Sequence, residues 1–182
     1  MNPIIEELNA RASFNWPDEQ KAYYTKMAAD AKSVECVRMR DVFTPEQLEF
    51  LFKICGYKTQ QKMCYRNATH LVHMVEVMAE YFYPTMPEVK YVEGFAFSCG
   101  LLSIEHAFVK VGDKYIDPTF ERALHVDVSK EIYASIIELD PETMAHYQMD
   151  TGYYGELYRY DYALHHRPEL AARIRQLNPN NR

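Results

Sequence analysis

A thiol, an imidazole and a carboxylate can together make or break an acyl bond, and Cys64, His106 and Asp117 occupy positions from which a fold could bring them together. Cys64 precedes an apolar stripe, Ala68, Leu71, Val72, Val75, Met78, Ala79 and Phe82, whose spacing predicts a helix ending before Pro84. The thiol therefore sits near a helix start, where unpaired N–H groups and a partial positive charge favour a thiolate and lower its pKa. His106 and Asp117 fall on two strands joined by the turn Gly112-Asp113. A two-residue loop sets Val111 opposite Lys114 and Phe108 opposite Asp117, so His106, Phe108, Tyr115 and Asp117 share one face of the hairpin. In that register the carboxylate can accept the imidazole N–H, fix its tautomer and support its charge. With Cys64 on a helix packed against that face, the chemistry is acyl transfer through a thioester.

Each residue type has competing uses. Cys36, Cys55, Cys64 and Cys99 include no C-x-x-C pair, which suits free thiols in a reducing compartment. Cys55 reads as packing on a helix that starts at Thr44, and Cys99, in Ser98-Cys99-Gly100, is an alternative nucleophile without a helix start or a facing base. His70 and His73, three residues apart, could join Cys64 and His106 around zinc, but H-E-x-x-H spacing is missing and the expectation is no metal and no cofactor. Gln60 and Gln61, in the loop before the thiol, are candidate side-chain donors to an oxyanion, and Asn67 can hydrogen-bond locally. The central three residues also fit a plain core: a buried Cys, a hydrogen-bonded His and an Asp opening the Asp117-Pro118 turn.

Cys64-Tyr65 at a helix start, Glu93-Gly94-Phe95 in one strand, His106-Ala107-Phe108-Val109 in the next and Ile116-Asp117-Pro118-Thr119 closing the hairpin resemble the transglutaminase-like branch of the papain-like cysteine enzymes. The order Cys, His, Asp and the separations of 42 and 11 residues suit that core, over about residues 59–120. The resemblance implies a papain-like α+β core with Cys64 as nucleophile, His106 as general acid/base and Asp117 as the residue orienting it. The papain-type C-G-S-C-W signature is missing, and the fold hosts proteases, amide hydrolases, crosslinking transferases and inactive relatives. A non-catalytic binding module using the same cleft and a metal-dependent hydrolase are the alternative classes.

The elements that must position these residues run helices, then sheet, then helices. A helix is expected over about 17–32 and a short extended piece over Val34 to Met39. Thr44-Pro45-Glu46-Gln47 predicts a capped helix that stops at Gly56. Strands are expected at Val89 to Phe97, Ile104 to Val111 and Lys114 to Asp117, and everything from Ser129 onward reads as helical and Tyr-rich, with a frayed tail over 178–182. The chain of 182 residues, 48% hydrophobic and 25% charged with 6 Gly, fits one domain: a catalytic core over about 59–120 between helical flanks at 1–58 and 121–177. A net charge of −6 disfavours duplex nucleic acid. Charged residues near the N-terminus and the lack of a long apolar run disfavour a membrane and suggest a cytosolic enzyme acting on an amide or acyl substrate, be it protein, peptide or small molecule. Tyr153, Tyr154, Tyr158, Tyr160 and Tyr162 could pack over the site or meet a protein partner. The expected cleft is a narrow groove lined by Gln61, Cys64, His106 and the segment Phe97 to Ser103.

Overall fold

The computed structural model describes residues 2–98 and 102–178, except for the side chains of Ser98 and Leu102. The chain is α+β. Helices α1 (Pro3–Ser13) and α2 (Asp18–Asp30) lead into the short strands β1 (Lys32–Val34) and β2 (Cys36–Val37). After α3 (Pro45–Glu49) and a wide helical turn at Phe50–Ile54 comes α4 (Cys64–Tyr81), followed by β3 (Val89–Ser98), β4 (Leu102–Val111) and β5 (Lys114–Ile116). The strand β6 (Ile132–Leu139) precedes α5 (Pro141–Thr151), α6 (Leu157–His166) and α7 (Pro168–Gln176). All six strands form one sheet in the order β1-β6-β3-β4-β5-β2.

Alternation along β4 divides the core. Ala107, Val109 and Val111 pack with Ala68, Leu71, Val72 and Val75 of α4, whereas Phe108 packs on the other side with Val92, Cys36, Phe120 and Tyr133. Helix α4 therefore rests on the face opposite to His106, a correction to the expected packing. The hairpin register itself is as expected, with Val111 opposite Lys114 and Val109 opposite Ile116. In an antiparallel pair, alternate residues direct their backbone groups to the same neighbour, so Val111, Val109 and Ala107 all face the β5 side of β4. Strand β5 ends at Ile116 and the chain departs through Asp117-Pro118, where Pro has no N–H to give. That leaves Ala107 without a β5 partner at the edge of β4.

Three expectations fail outside the hairpin. Residues 132–139 are a strand in the interior of the sheet, paired with β1 on one side and β3 on the other. The stretch Ile132-Tyr133-Ala134-Ser135-Ile136-Ile137 is rich in β-branched and aromatic residues, a strand signal outweighed in the sequence by the helical segments that follow. The flanks at 1–58 and 121–177 are thus not purely helical, and α1, capped by the Asn2 side chain, belongs to them too. Cys55 closes the wide turn after α3 and is half-buried instead of lying in the core. The capping box at Thr44 and Gln47 is formed as expected. Asn178, assigned to a frayed tail, is buried with its amide on the carbonyls of Met149 and Asp150; residues 179–182 lie outside those described.

A bulge between Glu93 and Gly94 shifts the β3–β6 register by one residue. There the two backbones approach so closely that a Cβ on Gly94 would lie 1.9 Å from the Ala134 carbonyl oxygen. Glu93 turns its side chain inward and accepts hydrogen bonds from the Leu157 N–H (3.0 Å), the Tyr158 N–H (2.9 Å) and the Tyr91 hydroxyl (2.8 Å). A carboxylate from the sheet thereby caps α6, whose own N-cap residue, Glu156, makes no side-chain cap.

Gly94→Ala should cost roughly 3 kcal/mol or more in urea unfolding, because backbone must move. Gly56→Ala, where φ is +66° and no atom lies within 4 Å, should cost only about 1 kcal/mol. Burial pushes the Glu93 carboxyl up to about 7, although its three donors oppose the shift. Its folded pKa exceeds its unfolded one, so the neutral form is favoured and stability declines as pH rises from about 4.5 to about 7. The decline attributable to this group, on the order of 3 kcal/mol, should vanish when Glu93→Gln and wild type are compared across that range by chemical denaturation.

Candidate active site

The loop before Cys64 is held by the helix it introduces. Asn67, one turn into α4, accepts from the Gln60 N–H (3.1 Å) and donates to the Gln60 carbonyl (2.8 Å) and to Thr119 Oγ1 (3.0 Å). The Tyr57 hydroxyl donates to the Asn67 carbonyl (2.8 Å). These bonds fix the approach to Cys64 and tie it to the turn that carries Asp117. Asn67 is buried, so its amide serves the long-range link to Thr119 as well as the local loop.

Asp117 is fully buried and each oxygen has its own task. Oδ1 accepts from the Thr119 N–H (2.9 Å) and the Phe120 N–H (3.0 Å), which shapes the Asp117-Pro118 turn. Oδ2 meets His106 Nε2 at 2.8 Å and accepts from the Tyr133 hydroxyl at 3.1 Å. The imidazole lies between the rings of Phe120 and Phe108, with centroids 4.6 Å and 6.5 Å away, and is 3% exposed. Because Nε2 is committed to Asp117, Nδ1 is the nitrogen left for the Cys64 sulfur.

Cys64, the first residue of α4, stands close enough to His106 for each to shift the other's pKa. His106 and the backbone N–H groups of Ala107 and Tyr65 lie near enough to the Cys64 sulfur to favour the charged form. Burial disfavours the thiolate, but these donors outweigh it and hold the thiol below its ordinary pKa. Burial likewise disfavours the His106 cation, and the Asp117 carboxylate and Cys64 together reverse that and raise its pKa. The pair favours thiolate and imidazolium. Burial instead pushes Cys36 up, helped by nearby Asp117, and pushes Cys55 up. Cys64 is half-buried, whereas His106 is buried.

The other sequence candidates do not join this cluster. Gln60 contributes backbone groups to Asn67, and the exposed Gln61 donates its amide to the Ala123 carbonyl at 3.3 Å. His70 packs edge-on to Tyr154 and His73 sits 3.4 Å from Glu76. Among the described residues no three His, Cys, Asp or Glu side chains come together as a metal site. Cys99 lies outside the described residues. Tyr133, which completes the Asp117 environment, was hidden by the helical reading of 129 onward; only its β-rich neighbours could have exposed it.

The expected groove also needs correction. Phe97 pairs with Ser103 and Ser98 with Leu102 as the end of the β3–β4 hairpin, so those residues extend the sheet instead of forming a loop beside the thiol. Two cavities, of about 700 and 660 Å³, flank Tyr65 instead, bounded by α2 and α6 in the first and by residues 151–160 with α7 and the residues after it in the second. Of the C-terminal tyrosines, Tyr158 and Tyr160 are buried, while Tyr153 and Tyr154 are exposed and line the second cavity. Gly155 lies so close to Tyr65 that a Cβ there would be 2.4 Å from the ring.

No family model matches the chain, and no curated protein or solved structure matches it. Among the described residues no helix is long and apolar enough to cross a membrane.

Iodoacetamide near neutral pH should alkylate Cys64 well before Cys36 and Cys55, as mapped by peptide mass spectrometry. In His106→Gln the pH profile of Cys64 labelling should move upward toward that of an ordinary thiol, since the principal donor to the thiolate is lost. Equal, slow labelling of all three cysteines would contradict the activation described above.

Proposed function

We propose that the protein is a cysteine-dependent acyl-transfer enzyme, acting on an amide or related acyl substrate through a thioester on Cys64. The observation that carries this reading is the buried His106, bonded to Asp117 and near a half-buried Cys64 whose thiol pKa is lowered. A papain-like, transglutaminase-like arrangement accounts for the order of the three residues and for the helix start under the sulfur. Free thiols at Cys36, Cys55 and Cys64 fit a cytosolic location.

In this mechanism the thiolate attacks the acyl carbon, and the negative oxygen is received by the Cys64 backbone N–H at the start of α4, with Gln61 as a side-chain donor if its amide turns from Ala123. His106 then passes its proton to the departing nitrogen as the C–N bond breaks, leaving the thioester. Water or an amine attacks next, with His106 taking its proton, and the C–S bond breaks to restore the thiolate. Asp117 orients the imidazole and stabilises its charge throughout.

Tested on activated esters and amides, Cys64→Ala and His106→Ala should lose about a thousandfold or more of turnover while still melting cooperatively, His106→Ala at a lower temperature because Asp117 loses a buried partner. Asp117→Asn should lose turnover on a comparable scale: with its oxygen kept on the Thr119 and Phe120 N–H groups, its NH2 faces His106 Nε2 and holds the imidazole in the wrong tautomer. Intact-mass spectrometry should find the acyl group on Cys64 of wild type. Folded variants with unchanged rates would make the site a binding cleft, and collapse of all three folds would assign the residues to the core.

A further inference from the structure

The larger cavity lies on the α4 face of the sheet, just beyond the start of that helix, and is closed by α2 and α6. Its floor carries Glu93 and Phe95 of β3 and Glu105 of β4, and its walls are Tyr23, Tyr65 and Tyr158. Tyr23 packs against three other rings, with centroids 5.0 Å from Tyr162, 5.5 Å from Tyr24 and 5.8 Å from Tyr158. The two arginines on the cavity are already engaged, Arg167 with Glu19 at 2.8 Å and Arg159 with Glu156 at 3.5 Å. Among the described residues neither Glu93 nor Glu105 has a Lys or Arg partner within ion-pair distance. Aromatic faces joined to an unpaired carboxylate, here Glu105, attract organic cations and repel anions. A volume of about 700 Å³ is far more than a bare ion requires and suits a side-chain-sized group.

We propose that this cavity binds an organic cation, a primary ammonium or a guanidinium, carried by the substrate, with Glu105 supplying the charge and Tyr23 and Tyr65 the ring faces. Its role as a substrate pocket rests on the acyl-transfer reading, and the link is Tyr65, which follows the nucleophile directly and whose phenol feels Glu93, Glu105 and the Cys64 sulfur together. Glu93 is spent on capping α6, so the exposed Glu105 is the carboxylate able to turn toward a ligand.

The test is calorimetric titration of the full-length Cys64→Ala protein, which cannot turn over, with three probes of similar shape: phenylethylammonium, phenylethanol and phenylpropionate. Fluorescence of Trp16, the chain's one tryptophan, gives a second readout, since its ring centroid is 5.4 Å from Tyr24 at the cavity. The ammonium should bind saturably and about tenfold tighter than the alcohol, the carboxylate should bind weakest, and Glu105→Gln and Tyr23→Leu should each weaken the ammonium about five- to tenfold. No saturable ammonium binding, equal binding of the three probes, or unchanged affinity in both variants overturns the proposal. Cation binding with an inert Cys64 would keep the pocket and sink the enzyme; a reactive Cys64 without cation preference would sink the pocket alone.

Discussion

A carboxylate with no exposure to water must have its charge answered by the protein, and in this fold that requirement falls on Asp117. Four groups from three parts of the chain answer it: two N–H groups of its own turn, the His106 ring of β4 and the Tyr133 hydroxyl of β6. Removing any one leaves a buried acceptor short of a partner, which is costlier than the bond itself is worth. The turn, the hairpin and the interior strand are thereby held in one relative position, and the orientation of the imidazole follows from it.

The second constraint is topological. Strand β5 is only three residues long, and the proline after Asp117 could not have continued the ladder. A sheet edge left open in this way is normally a liability, because its unpaired N–H groups invite other strands. Here the Ala107 N–H, left without a strand partner on the β5 side, favours the charged form of the Cys64 thiol, so the same short strand that ends the pairing also shapes the surroundings of the thiol. The helix packs on one face, the imidazole lies on the other, and the edge is where they meet.

What could be read from the sequence was local. The α4 stripe, the Thr44 cap and the Gly112-Asp113 hairpin rest on spacings of a few residues, and those elements formed in the expected register. The relation of Cys64 to His106 depended on which face α4 would choose and on where β5 would stop, neither of which is written in periodicity. Strand β6 was missed because its Ile and Tyr run borders helical segments and its partners lie far away in sequence. With it went Tyr133 and the inward turn of Glu93, whose pairing with the start of α6 links residues 64 and 65 positions apart.

The position of β6 also orders events in time. Strand β1, residues 32–34, has β6 as its sheet partner, and β6 leaves a ribosome roughly a hundred residues later. Until then α1 and α2 lack their β6 contacts and can meet only β3, whose other edge is bare, and Asp117 lacks the Tyr133 hydroxyl. Such pairing is slow to nucleate because long loops must close before any contact rewards them. Cys64 therefore emerges early, while the environment of its neighbour His106 is completed late, so that a nascent or truncated chain holds the cysteine before the Asp117 cluster around that imidazole is whole.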